Sequence, residues 1–198
     1  MAVNLVKGQK VSLRKADGKA LQHLMVGLGW DPAKPASSIL QRIFQQNNID
    51  CDASVFLLQD GTLRAKRDVV FFNNLRHASG AVRHMGDNLT GEGDGDDEQI
   101  FVDLSKVPGA YDKLVFVVNI YQAKQRKQHF GMIENAFIRI VDNDTQQEIC
   151  RYDLTYNFGG RLALICGEIY RHNGEWKFNA IGQGTMDGSV GELAMRYE

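Results

Sequence analysis

The stretch GDNLTGEGDGDDEQ, from Gly86 to Gln99, holds six carboxylates between Asp87 and Glu98 and no lysine or arginine. Two like charges about 5 Å apart repel by roughly 3 kcal/mol at an effective dielectric near 20. A loop folded on itself with this composition needs a counter-charge; a solvated, open one does not. Gly91, Gly93 and Gly95 alternate with Glu92, Asp94 and Asp96. Glycine lets the backbone fold back so that carboxylates and carbonyls converge. Such a donor set suits Ca2+, which takes roughly six to eight oxygens at 2.3–2.6 Å, better than Mg2+, which keeps more of its waters. The stretch contains no His or Cys, which argues against Zn2+. No twelve-residue window matches the EF-hand frame.

Other oxygen donors could join it. GLGWD ends in Asp31, IDCDAS supplies Asp50 and Asp52, and FFNN ends in Asn73 and Asn74. The plainer alternative is that Asp31 is a turn residue and that Asp50 or Asp52 caps a turn. Catalytic signatures are absent: there is no P-loop, no GxGxxG and no G-x-S-x-G. The five histidines are scattered over different segments, and Cys51, Cys150 and Cys166 form no CxxC pair. Buried thiols in a reducing compartment are the simplest reading. AKQRKQHF carries Lys124, Arg126 and Lys127 with only Phe130 nearby to stack, which is thin for nucleic acid.

Positioning these groups requires a framework, and the chain is long enough to bury one: 198 residues, 43% hydrophobic and 24% charged, with net charge −1. The acidity is therefore local. No signal-peptide h-region opens the chain, so a cytoplasmic location is expected. Most of the sequence alternates in the manner of strands. KVSLR puts Val11 and Leu13 on one face, LQHLMVGLGW reads as a strand, and DKLVFVVNIY, apolar on both faces, as a central one. ASVFLLQDGTLRA predicts a hairpin at Asp60-Gly61, and VVFFNNL and AVRHM two more strands around HASG. NAFIRIVDNDTQQEICRYDL turns near Asn143-Asp144, and RLALICGEIYRHNGEWKFNAIG at Asn173-Gly174, with Trp176, Phe178 and Ala180 inward. About ten short strands in one domain predict an all-β, two-sheet sandwich with its loops gathered at a pole. SSILQRIFQQNN instead has helical spacing at Ile39, Leu40, Ile43 and Phe44, a predicted helix over 37–46; DGSVGELAMRYE predicts a short C-terminal helix that packs Leu193 on the sheet.

Taken together, GLGWD, DCDAS, FFNNL, GDNLTGEGDGDDEQ, AFIRIVDND, CRYDL and GEIYRHNGEWKFNAIGQG resemble, in order along nearly the whole chain, the TerD family of bacterial tellurium-resistance proteins. Cys51 stands where the family usually has Leu. The resemblance implies a non-catalytic, calcium-binding β-sandwich of the bacterial stress response, linked to tellurite, phage and colicin resistance. It implies calcium ligands, for more than one ion, among Asp31, Asp50, Asp52, Asp87, Asn88, Glu92, Asp94, Asp96, Asp97 and Glu98. The partners it implies are calcium and other stress-response proteins, with peripheral attachment at the inner face of the membrane left open and no nucleic acid. The rival readings are a metal-dependent enzyme and a nucleic-acid or metabolite-binding module.

Overall fold

Strand alternation builds two layers. The computed structural model describes residues 2–15, 17–32, 49–86, 95–154 and 158–198. Sheet A contains β1 (Val3–Leu5), β3 (His23–Pro32), β6 (Val82–His84), β7 (Glu98–Asp103), β9 (Ile133–Asp142) and β10 (Gln147–Asp153), in the order β1-β10-β9-β3-β7-β6. Sheet B contains β2 (Lys10–Ser12), β4 (Cys51–Leu58), β5 (Val69–Val70), β8 (Lys113–Ile120), β11 (Ala163–His172) and β12 (Glu175–Thr185), in the order β2-β12-β11-β8-β4-β5. Among the described residues only β1 and β10 pair in parallel; the other ladders are antiparallel. This is the all-β sandwich that the alternation predicts.

The inner faces interdigitate. Val26 and Leu28 of β3 and Ile138 and Ile140 of β9 meet Val55 and Leu57 of β4 and Leu114 and Phe116 of β8, all essentially free of solvent. Sheet B is buried on its outer face too. There Phe56, Leu58, Val115, Val117 and Ile165 lie with Leu193 of α2 (Val190–Ala194). This second layer explains why β4 is buried at every position and β8 at nearly every one, with no alternation to read. Among the described residues the other α-helix, α1 (Ala123–Arg126), is a single turn after β8. Among the described residues no helix is long and apolar enough to cross a membrane.

Turn chemistry sets the connections. Asn173 and Gly174, both at positive φ, join β11 to β12 directly. Asp60 and Gly61 also turn at positive φ, but the returning arm pairs only through the Gln59–Thr62 bridge. The predicted hairpin there is thus a turn, and β4 takes the two-residue β5 as its neighbour. The segment read as a strand through VVFFNNL likewise pairs only at Val69 and Val70 before turning at Phe71–Asn74. The predicted helix over 37–46 lies outside the described residues.

The GLGWD motif now has a steric meaning. Leu28 and Trp30 point into the core, while Gly27 and Gly29 leave the outer face bare. A Cβ at Gly27 would collide with the Asp96 carboxylate, and one at Gly29 with the Phe137 ring and the Gly95 carbonyl. Gly27→Ala and Gly29→Ala should each destabilise the protein by about 1–3 kcal/mol, as overpacking does. Gly109→Ala, where the space is open and φ ordinary, should be near neutral. Urea unfolding of the three variants checks this.

Candidate functional site

Antiparallel register gathers one set of strand ends. Leu28 near the end of β3 opposes Glu98 at the start of β7, and Asp31 opposes Glu134 at the start of β9. Cys51 and Asp52 at the start of β4 oppose Ile120 and Asn119 at the end of β8. The last residue of β6, His84, opposes Ile100. Asp31, Asp50, Asp52, Asp96, Asp97 and Glu98 therefore share one pole, next to the ends of the 87–94 stretch. Asp87, Asn88, Glu92 and Asp94 lie outside the described residues.

Two of these carboxylates tie the framework together. The Asp96 side chain is fully buried and takes a forked pair from Arg139, Nε to Oδ1 at 2.7 Å and a terminal nitrogen to Oδ2 at 3.0 Å. The guanidinium reaches it across Gly27, which opposes Arg139 in the ladder. That bond to Asp96 holds the Arg139 guanidinium above its ordinary range, with a second bond to Glu148 adding to it. Glu98 points into the sandwich and is 2% exposed. Its Oε2 accepts the Ala53 backbone N–H of the opposite sheet at 2.6 Å and lies 3.3 Å from His84 Nε2. His84 Nδ1 accepts from the Gly86 N–H, so Nε2 carries the ring hydrogen, 3.2 Å from the Ala53 carbonyl.

The other four range from exposed to buried. Asp31, exposed, accepts from the Asn135 side chain at 2.8 Å. Asp50 stands 3.8 Å from Arg126, and its carbonyl accepts from the Tyr121 N–H. Asp52 is 5% exposed on the outer face of sheet B. Asp97 accepts the Trp30 N–H at 2.7 Å, yet burial, with Asp31 and Asp96 adding repulsion, raises its carboxyl above the ordinary value. Burial pushes the neighbouring Cys51 thiol far up, and Asp52, Glu98, Asp50 and Asp97 push it further. Cys150 and Cys166 are pushed up to about 12, mainly by burial. Thiols held in this way are poor nucleophiles at neutral pH. The amide nitrogen of Asn74, a predicted oxygen donor, donates to the Val69 carbonyl at 2.7 Å.

Among the described residues no three of His, Cys, Asp or Glu converge closely enough to hold a metal ion. Among the described residues the pole is rich in carboxylate oxygens, and its imidazole and thiol neighbours are turned inward. Its chemistry suits a hard cation. The sequence reading did not pick out His84 and Arg139. A single histidine carries no signal of its own, and Arg139 was visible only as one outward position in the alternation of AFIRIV.

The raised Asp97 carboxyl makes a pH prediction. Deprotonating it works against the fold, so stability is lost as pH rises above the ordinary carboxyl value of 3.8. Asp97→Asn keeps an oxygen for the Trp30 N–H and removes the charge. Without divalent cations, the variant should melt higher than the parent at about pH 7, and the difference should vanish near pH 3. Thermal melts across pH check this.

Comparison with known proteins bears on the whole chain. The family model of the TerD domain matches residues 1–197. The stress response protein SCP2 of Bacillus subtilis (strain 168) is 52% identical over 200 residues, covering 100% of both chains. The tellurium resistance protein TerD of Serratia marcescens is 48% identical over 189 residues, covering 95% of this chain and 93% of its own. A solved structure of a homologue of telluride resistance protein (TerD), SCO6318 from Streptomyces coelicolor A3(2), matches with a TM-score of 0.64 at 20% identity, over 86% of this chain and 94% of that one. The crystal structure of SAV2460, a protein of unknown function, matches at 0.68 and 22% identity, over 91% and 99%. Those two likenesses speak to the fold alone, whereas the family match and the close relatives span the sequence: the chain belongs to the TerD family.

Proposed function

We propose that this protein is a non-catalytic calcium-binding member of the bacterial stress response, acting in resistance to tellurite and related insults. The observation that carries the reading is the accumulation of carboxylates at one pole, where burial and then the charges of Asp31 and Asp96 raise the titration of Asp97. Two cations at that end are already engaged: Arg139 binds Asp96 and Glu148, and Arg126 lies beside Asp50. A divalent cation would relieve the remaining repulsion. Asp31, Asp50, Asp52 and Asp97 are the described residues suited to hold it, with the 87–94 stretch supplying the rest of the ligand set. Asp96 and Glu98 would serve by fixing the rim. When bound, calcium supplies a fixed positive charge that orders the pole into a surface for another stress-response protein, in the cytoplasm or at the inner face of the membrane.

Calcium should raise the melting temperature, and a chelator should reverse the rise. A ligand that binds only the folded state adds about 2.7 kcal/mol at one hundred times its Kd. The double variant Asp31→Asn/Asp97→Asn should bind calcium at least tenfold more weakly by calorimetry while remaining folded. Unchanged melting in millimolar calcium at low ionic strength defeats the proposal. Parent-like affinity in the double variant moves the site away from these residues.

A further inference from the structure

The side of the sandwich where β5 ends sheet B and β6 ends sheet A is basic. Residues 61–86 hold Arg64, Lys66, Arg67, Arg76 and Arg83 against one carboxylate, Asp68, in a chain whose net charge is −1. Asp68 does not answer them. It is 2% exposed and turned inward, 3.0 Å from the Tyr111 hydroxyl and 3.4 Å from His77 Nε2. All five cations are exposed, and none has a carboxylate partner among the described residues.

Two of them are set against each other. Arg76 and Arg83 are directly opposed in an antiparallel bridge, flanked by bonds from the His77 N–H to the Val82 carbonyl and from the His84 N–H to the Leu75 carbonyl. Val82 and His84 face the core, 1% and 2% exposed, so Arg83 projects outward and Arg76 with it. Facing side chains in a ladder stand about 5 Å apart at Cβ, and like charges there work against the fold. Beside the pair, Leu75 is 41% and Met85 46% exposed. Met85 lies two residues past Arg83, its N–H held by the Gln99 carbonyl, and so continues the outward row.

We propose that this edge seats on an anionic lipid surface. Arg76 and Arg83 bracket a headgroup phosphate with their guanidinium forks, which turns their mutual repulsion into two charge-assisted contacts. Leu75 and Met85 enter the acyl boundary. Arg64, Lys66 and Arg67 add attraction that reaches about 8–10 Å at physiological salt. The exposed apolar groups beside the pair are aliphatic, which suits acyl chains and gives a nucleic-acid base no flat face to stack on. None of these residues is a candidate calcium ligand, so the proposal does not rest on calcium binding.

The test is sedimentation of the full chain with vesicles, in a chelator, at rising salt. Vesicles of equal parts phosphatidylglycerol and phosphatidylcholine should carry the protein down, progressively less as salt rises, and vesicles of phosphatidylcholine alone should not. Arg76→Gln/Arg83→Gln should weaken binding at least tenfold, yet melt no lower than the parent, because it removes a like-charge opposition. A purely structural role for the pair predicts the opposite, a drop in melting temperature with binding kept. Arg64→Gln/Lys66→Gln/Arg67→Gln, outside the ladder, should weaken binding and flatten its salt dependence. Leu75→Ser/Met85→Ser should weaken binding and leave the salt dependence as it was. The proposal is overturned by equal sedimentation with both kinds of vesicle, by undiminished binding in the Arg76/Arg83 variant, or by binding that appears only when calcium is added. Displacement from the vesicles by duplex DNA at equal phosphate concentration also overturns it, in favour of a nucleic-acid partner. Calcium-induced stabilisation should persist in every variant, so the calcium reading and this one fail separately.

Discussion

A strand that runs on past its neighbour leaves backbone groups in need of partners, and that constraint organises the acidic pole. β5 pairs with β4 only at Val55 and Phe56, so Ala53 presents its N–H and C=O to a side where sheet B has ended. Both groups are taken by sheet A: the N–H by Glu98 and the C=O by His84. Leaving either unpaired in so dry a place would cost about 1–3 kcal/mol. The tie also fixes where the 87–94 stretch departs and returns, because His84 and Glu98 stand just outside it. From that anchor the order of the neighbours follows. Asp97, next along, meets the Trp30 N–H, and Asp96, one further, meets Arg139 across the bare backbone of Gly27.

The acidic run is thus not a set of equivalent ligands. Side chains that carry the same charge in the sequence do different work in the fold. Asp96 and Glu98 are joined to a cation, a backbone amide and an imidazole, while Asp97 keeps neighbours of its own sign. The first kind makes the rim rigid; the second makes it electrostatically uncomfortable. On the proposed calcium reading, a rigid rim with unrelieved repulsion would be pre-organised for positive charge, and relief of that repulsion would be part of the free energy of binding.

What was legible in the sequence was what local chemistry decides. The β11–β12 hairpin follows from Asn173-Gly174 and the alternation through Trp176, Phe178 and Ala180, and α2 buries Leu193 as its pattern implies. The pole was legible as a charge cluster. Less visible was anything that depends on a partner distant in the chain. Asp60-Gly61 marks a turn in either case, and only the short β5 decides that no full hairpin forms there. The role of Gly27 and Gly29 shows only when Asp96 and Phe137 are seen lying over them. The division of the acidic residues into ties and surface charges depended on Arg139 and Ala53, each more than forty positions away.

The edge strands carry a consequence for how the chain reaches this state. β1 lies against β10, and β2 against β12, with Lys10 opposite Asn179. During synthesis β1 and β2 must therefore wait for β10 and β12, far later in the chain, before they have a strand to pair with. Pairings so remote along the chain slow folding, and exposed strand edges left open meanwhile invite association with other chains. One edge of each sheet is closed by a strand made long before its neighbour, so both sheets stay open at that edge until β10 and β12 have been made.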